Sequence, residues 1–433
     1  MTQPSSIRLV TEQKAEATYL PVQAQASPQH VDTIRRGRLG RVGTSGKGVV
    51  SIRFDHQVDP FLATLKPLFD ARRLPFSMGL VTQSVGNPTA TYEPTNATWA
   101  DVKSQIIGIG GEIWAHSRTH GNGGGDLESE IVGARADIEA QGIRCMGWQQ
   151  PGSPATYGTP HTSADAMNDR AGQLIRSTYG LYESSIAGSS RRALPTDGCW
   201  GHNHITIDTR TLANVKGYID EAANFQVGVQ LMLHPQELGR PGYMTLADFT
   251  GVLDYLVTMR DAGKIEVVTA SALAFADPGS THRTSLMPFG SFEGLSTASI
   301  PGPWSESGAS WTIGTDGGHS GSSYLRVPAS GGIAICRISA DGYGIDGFPF
   351  MFEGWARAAD ATAGTNWRAG LTATVGATNI NARNATGAIT QAAGWQRVRL
   401  PMTIPVGASS AAFYIGRAGG GAVDWDDVSV VAI

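Results

Sequence analysis

The stretch of sequence that decides the fold joins an apolar segment to two histidines: Gly111-Glu112-Ile113-Trp114-Ala115-His116-Ser117-Arg118-Thr119-His120. Residues 111–115 predict a strand, and the glycine-rich run at 121–125 predicts a loop directly after the second histidine. A junction of this kind can direct both imidazoles at one metal ion. A structural role for both histidines is the alternative interpretation.

Outward from this junction, apolar strands alternate with amphipathic helices between Gly48 and Ala276. The predicted strands are 49–54, 75–81, 111–115, 227–233 and 265–269. The predicted helices are 61–71, 99–109, 127–141 and 248–262. This alternation predicts a parallel sheet or barrel whose chemistry lies at the carboxyl ends of the strands.

The helical period disappears after Asp277-Pro278-Gly279-Ser280. Short alternating runs at 323–327, 350–357 and 395–400 then predict an antiparallel β-sandwich. Before the barrel, the polar and small residues end in a basic segment punctuated by glycine, which is typical of an arm or connector. The sequence therefore predicts an N-terminal arm or tail-attachment segment at 1–47, a catalytic domain at 48–280 and a sandwich at 281–433.

Composition excludes several classes of protein. The formal net charge of −4 gives no basic footprint for nucleic acid, so neutral glycans or peptides are easier partners. The sequence contains no run of about 18 apolar residues, and its start has no basic segment followed by an apolar one. We therefore expect neither membrane insertion nor a signal peptide. The three cysteines are widely spaced and odd in number, which argues against a disulfide framework or a cysteine-based zinc site.

Asp55 and His56 follow the first predicted strand, so they are expected on the same rim as the histidine pair. Three imidazoles, from His56, His116 and His120, suit zinc and leave positions open for water and substrate. A carboxylate beside such a site can act as a general base, whereas Asp55 alone would serve as a strand-end cap.

Three further histidines are candidates in the same segment. His234 ends the strand 227–233 and is either a packed or surface histidine or, on the same rim, a general acid. His202 and His204 alternate along a short strand and are substrate contacts, further ligands or surface residues.

Taken together, residues 48–276 resemble the polysaccharide deacetylase family, also called the NodB-homology or carbohydrate esterase family 4 domain. The family's His-Ser/Thr-x-x-His motif is matched by residues 116–120, and its Thr-Phe-Asp-Asp motif is approximated by residues 53–56. The resemblance implies a distorted (β/α) barrel with fewer than eight strands. It makes His116 and His120 metal ligands, Asp55 the catalytic base and His234 the catalytic acid.

The chain departs from the family pattern at two places. His56 stands where the family has a metal-binding Asp, so the implied ligand set becomes His56, His116 and His120. Gln149-Gln150-Pro151 stands where the family has Arg-x-Pro, so the arginine that orients the base is absent from that position. Substrate contacts are predicted at Gln149, Pro151, His202 and His204.

The C-terminal part resembles jelly-roll carbohydrate-binding modules. Four of its aromatic residues are candidates for stacking on sugars, with core packing as the alternative: Trp304, Trp311, Tyr343 and Trp367. The whole arrangement is similar to minor tail proteins of phages that infect actinobacteria. That resemblance implies a virion location, docking on other tail proteins through residues 1–47, and a homo-oligomer such as a trimer.

The sequence thus predicts a zinc-dependent hydrolase that removes acetyl groups from a bacterial cell-surface glycan during phage adsorption. The alternative is a non-catalytic receptor-binding tail protein that binds host cell-wall glycan.

Overall fold

The computed structural model describes residues 42–121, 126–152, 169–184, 190–195, 203–281, 285–296, 304–307, 311–340 and 344–433. Two parts follow each other along the chain: a curled, mainly parallel sheet with helices, and an antiparallel sandwich. Three predictions lie outside the described residues: the arm over 1–41, His202 and Tyr343. Among the described residues, no helix combines the length and apolar character needed to cross a membrane.

The first part is built on a nine-stranded sheet. Its strands are β2 (Gly48–Asp55), β3 (Phe76–Leu80), β4 (Gly111–Ala115), β5 (Cys145–Gln149), β6 (Tyr182–Glu183), β7 (Arg191–Arg192), β8 (Ile205–Thr206), β9 (Gly228–Leu233) and β10 (Ile265–Val268). The main order is β6-β5-β4-β3-β2-β9-β7, while β10 pairs with β2 and β8 with β9. Every pairing is parallel except β7 with β9, so the carboxyl ends of β2, β4 and β9 meet at one edge.

Seven helices pack around this sheet in the described residues: α1 (58–72), α2 (99–109), α3 (127–140), α4 (Arg170–Thr178), α5 (Leu212–Phe225), α6 (Leu246–Asp261) and α7 (Ala270–Leu273). Threonine side chains accept hydrogen bonds from backbone N–H groups at the starts of α2, α5 and α6, which satisfies donors that the first helical turn leaves unpaired. All nine elements predicted in this part are present, with ends shifted by at most three residues.

The predicted boundary of the arm needs a correction. Strand β1 (Val42–Gly43) pairs in parallel with β11 (Ala276–Asp277), and Val42 is buried in an apolar cluster with Val49 and Val268. Residues 42–47 therefore belong to the first part of the fold, because β1 forms a two-stranded sheet with β11 and Val42 packs in a cluster of that part.

The second part confirms the predicted sandwich. Its strands are β12 (Trp304–Ser307), β13 (Thr312–Gly314), β14 (Tyr324–Val327), β15 (Ile333–Ser339), β16 (Pro349–Ala358), β17 (Asn366–Val375), β18 (Thr378–Ala388), β19 (Gln396–Thr403), β20 (Ala408–Gly419) and β21 (Val423–Ala432). They form two five-stranded antiparallel sheets, ordered β12-β15-β20-β17-β18 and β13-β14-β21-β16-β19. Trp304 and Trp311 are buried in the core between them, so core packing is their role.

The two parts share an interface. Trp114 and Met146 from the sheet domain lie in the same buried apolar cluster as Phe292 and Trp304. Ion pairs also cross it, including Arg383 with Asp70 at 2.7 Å. The boundary predicted near residue 280 divides the chain, but the buried apolar surface continues across it.

Candidate metal centre

Three imidazoles converge at the carboxyl edge of the sheet. His56 follows β2, and His116 and His120 follow β4; one potential ligand atom from each lies within 4.8 Å of the others. All three residues are buried. Within the described part of the chain, no carboxylate joins this group of ligand atoms. The structure therefore brings together the three histidines named from the sequence, and their role as metal ligands stays a prediction.

Backbone conformation and one carboxylate shape the turn that carries the pair. Ser117 and His120 have φ values of 68° and 65°, which lie in the left-handed region. Glu130 accepts hydrogen bonds from the backbone N–H groups of Arg118 and Thr119 at 3.1 and 2.9 Å. This carboxylate fixes the turn, so the imidazoles on either side of it are held at the same edge.

The protonation state of His116 suits a metal ligand. Burial lowers the pKa of His116 well below its ordinary value, and the neighbouring His120 and His56 act in the same direction. A neutral imidazole is the form that binds a metal ion, because its ring nitrogen must carry a free electron pair. Three neutral nitrogen ligands fit zinc or another borderline divalent ion better than magnesium or calcium, which prefer oxygen.

Asp55 lies next to this cluster and is paired with Arg53 from the same strand. Arg53 Nε donates to Asp55 Oδ1 over 2.7 Å, and Nη2 donates to Oδ2 over 2.5 Å. Burial alone would raise the pKa of Asp55, but Arg53, together with His116 and His234, holds it well below its ordinary value. Asp55 is therefore ionised and fixed in orientation.

The ion pair between Arg53 and Asp55 corrects the expectation that no arginine orients the proposed base. The arginine missing at Gln149 is replaced by a guanidinium from Arg53, two residues before Asp55. Alternate residues of a strand point to the same face, which was the signal available in the sequence. Gln149 itself is fully buried and donates to Glu183, which also accepts from Arg53 at 3.1 Å. Gln149 thus lies in a polar network with Arg53 rather than at an exposed surface.

His234 stands at the end of β9 with a carboxylate partner that was not predicted. Its Nδ1 lies 2.7 Å from Asp208 Oδ2, and its backbone N–H donates to Asp208 Oδ1. Burial would lower the pKa of His234, but the hydrogen bond to Asp208 and the charge of Asp55 raise it above its ordinary value. Its ring centre lies 5.1 Å from that of His56, so an imidazole with a raised pKa stands beside the histidine cluster.

Two other predicted substrate contacts can be placed. Pro151 is buried just after β5, and His204 is half-buried just before β8, where its backbone N–H donates to Asn203. His202 lies outside the described residues. A contact of His204 with substrate stays a prediction.

No protein-family model matches the chain, and no curated protein matches it. Among solved structures, it is similar to the module TmCBM61 in complex with beta-1,4-galactotriose, with 12% identity over 35% of this chain and 99% of that one, and a TM-score of 0.27. It is similar to the enzymatically active domain of bacteriophage CBA120 tailspike protein 4, with 18% identity over 34% of this chain and 21% of that one, and a TM-score of 0.25.

A third similar structure is the C-terminal family 22 carbohydrate-binding module of Clostridium thermocellum Xyn10B, with 18% identity over 33% of this chain and 90% of that one, and a TM-score of 0.27. Scores this low assign neither a fold nor an activity to this chain.

Proposed function

We propose that the protein is a zinc-dependent hydrolase that removes acetyl groups from a bacterial cell-surface glycan. One observation carries the proposal. At a single edge of the sheet, a cluster of three buried imidazoles lies beside an ionised carboxylate, Asp55, and a partly exposed histidine, His234, that favours its protonated form. Metal ligands, a base and an acid are the groups that metal-assisted hydrolysis of an acyl bond requires.

His56, His116 and His120 would hold the ion through one nitrogen each. When bound, zinc supplies Lewis acidity, which polarises an acyl carbonyl and lowers the pKa of water. Asp55 accepts the proton of the attacking water. Because Arg53 lowers the pKa of Asp55, this carboxylate is a weak base on its own and needs a water of lowered pKa to work efficiently.

His234 gives the proton to the leaving amine or alcohol. The carboxylate of Asp208 supports this role in two ways: it favours the charged imidazole, and it holds Nδ1, so that Nε2 is the nitrogen free to face the substrate. Asp55 and His234 therefore divide base and acid work between two side chains whose environments move their pKa values apart.

The non-catalytic alternative was motivated by two departures from the deacetylase pattern. One of them, the missing arginine at Gln149, is compensated by Arg53, which favours turnover. A role in a phage tail, with docking through residues 1–47 and oligomerisation, remains part of this proposal and rests on the arrangement of an arm, a catalytic domain and a sandwich.

Acetate release tests the activity. We expect the zinc-loaded protein to release acetate from N-acetylglucosamine oligomers or acetylated xylan, and chelation to stop it. Asp55→Asn should lower the rate about 10²- to 10⁴-fold. Asp254→Asn, which changes an exposed carboxylate paired with Arg72, is the matched control and should keep the wild-type rate. Saturable binding to host cells without any acetate release would support the non-catalytic alternative.

A further inference from the structure

The loop between β3 and α2 brings two adjacent side chains against two different histidines of the metal cluster. The carboxylate of Glu93 contacts Nδ1 of His56. The ring of Tyr92 stacks on His120, with ring centres 4.1 Å apart and planes inclined by 18°. Glu93 has a φ of 51°, in the left-handed region, so the backbone turns sharply where these two neighbours reach the cluster.

The carboxylate of Glu93 is held in place by the residue that follows His56. Gln57 donates to it twice, from its backbone N–H to Oε2 at 3.2 Å and from its side-chain Nε2 to Oε1 at 2.7 Å. Gln57 Oε1 in turn accepts the backbone N–H of Gln236 at 2.8 Å, two residues after His234. A chain of hydrogen bonds therefore links Glu93 to the strand end that carries His234.

We infer that Glu93 is a positioning residue that selects the ring nitrogen through which His56 binds the metal. An imidazole whose Nδ1–H is donated to a carboxylate must offer Nε2 to the ion, and the same hydrogen bond makes that nitrogen a stronger ligand. Glu93 is not among the clustered ligand atoms. Its negative charge thus acts on His56 from outside the group of three ligand atoms.

Tyr92 contacts the cluster as well, since its ring lies edge-on to His56, with ring centres 5.7 Å apart, and stacks on His120. The stacked ring restricts rotation of that imidazole. One loop therefore orients two of the three ligands.

This inference rests on the proposed metal site, and its test is zinc affinity measured by competition with a chromophoric chelator. Glu93→Gln should weaken zinc binding about 10- to 100-fold. The matched control is Glu237→Gln, since Glu237 is a carboxylate near the same edge that pairs with the exposed Arg240 instead of with a histidine of the cluster. The control should bind zinc as the wild type does, and the melting temperature of the metal-free Glu93→Gln protein should stay at the wild-type value.

Nitrogen-15 NMR of the histidines supplies a second readout that needs no variant. The zinc-loaded wild type should show His56 protonated at Nδ1 and bound through Nε2. Binding through Nδ1, or equal zinc affinity of Glu93→Gln and the wild type, would overturn the role of Glu93 while leaving the hydrolase proposal intact. Absence of zinc from the wild-type protein would overturn both.

Discussion

Arg53 and Asp55, two residues apart on one strand, form a bidentate ion pair in which both partners are almost completely buried. The strand itself supplies the group that orients the proposed base, because side chains at positions i and i+2 share a face. Glu183 accepts a further hydrogen bond from the same guanidinium. The charge balance of the site therefore depends on Arg53.

Replacing Arg53 should affect activity and stability differently according to the substitution. Arg53→Lys keeps a positive charge but loses the planar fork, so acetate release should fall about 100-fold through misplacement of Asp55. Arg53→Met leaves the buried Asp55 without its cation and removes one of the two cations near Glu183. It should lower the free energy of unfolding by about 3–5 kcal/mol, measured by urea denaturation. Arg72→Lys is the control, because the partner carboxylate of Arg72, Asp254, is largely exposed. This substitution should change the free energy of unfolding by less than about 1 kcal/mol.

Removing the acid should slow turnover without releasing the metal. His234→Ala should lower kcat for acetate release about 10²- to 10⁴-fold, because the leaving group then departs unprotonated. Asp208→Asn should act in the same direction, since Asp208 favours the charged imidazole. Both variants should keep wild-type zinc content. A His234→Ala protein with wild-type kcat would remove His234 from the mechanism.

The contact between sheet domain and sandwich can be tested at one glycine. Gly110 has a φ of 90°, and a Cβ there would lie 2.1 Å from Pro401 Cβ in β19. Gly142 also has a positive φ, of 67°, but a Cβ there would meet nothing within 4 Å. Gly142→Ala should therefore show only the backbone cost of about 1–2 kcal/mol. Gly110→Ala should destabilise the protein by clearly more than Gly142→Ala, because its Cβ also clashes with Pro401. Equal losses of thermal stability in the two variants would contradict the described interface.

Asp426 should give the sandwich a pH-dependent stability. Burial raises its pKa from 3.8 to about 6, even though backbone N–H groups of Ser320 and Asp427 donate to it. Between these values the folded protein keeps a proton that the unfolded chain has released, so this group makes the free energy of unfolding fall as pH rises. Asp426→Asn should remove this decrease in the free energy of unfolding, measured by urea denaturation at a series of pH values. Asp360→Asn changes a carboxylate whose pKa is lowered instead of raised, so this control should keep the decrease in stability between those pH values.

Much of the fold could be predicted because its periodic patterns are local. The strand 111–115 and the helix 99–109 have the predicted bounds, since the apolar period and the Thr98 cap mark them. Helix α5 was missed because its fully buried stripe consists of only Val215, Ile219 and Ala222. The shared core between the two parts was also missed, because no local pattern shows that residues as far apart as Trp114 and Trp304 lie in one cluster.

The residues of the site also divide into those that local sequence patterns predict and those that depend on tertiary structure. His56, His116 and His120 could be predicted because each follows a strand whose carboxyl end faces one edge. Asp208 reaches His234 only because β8 pairs with β9 in a register that aligns Ile205 with Leu231. Glu93 stands in a loop with no repeating pattern, so its contact with His56 depends on tertiary structure alone.

The most direct test of the account is the metal content of the purified protein by elemental analysis, measured beside His116→Ala and His120→Ala. His319→Ala, a histidine of the sandwich outside the cluster, serves as the control. We predict one zinc ion per chain in the wild type and the control, and loss of that zinc in both cluster variants. A wild-type protein without stoichiometric metal, or cluster variants that keep it, would contradict the assignment of His56, His116 and His120 as the metal site.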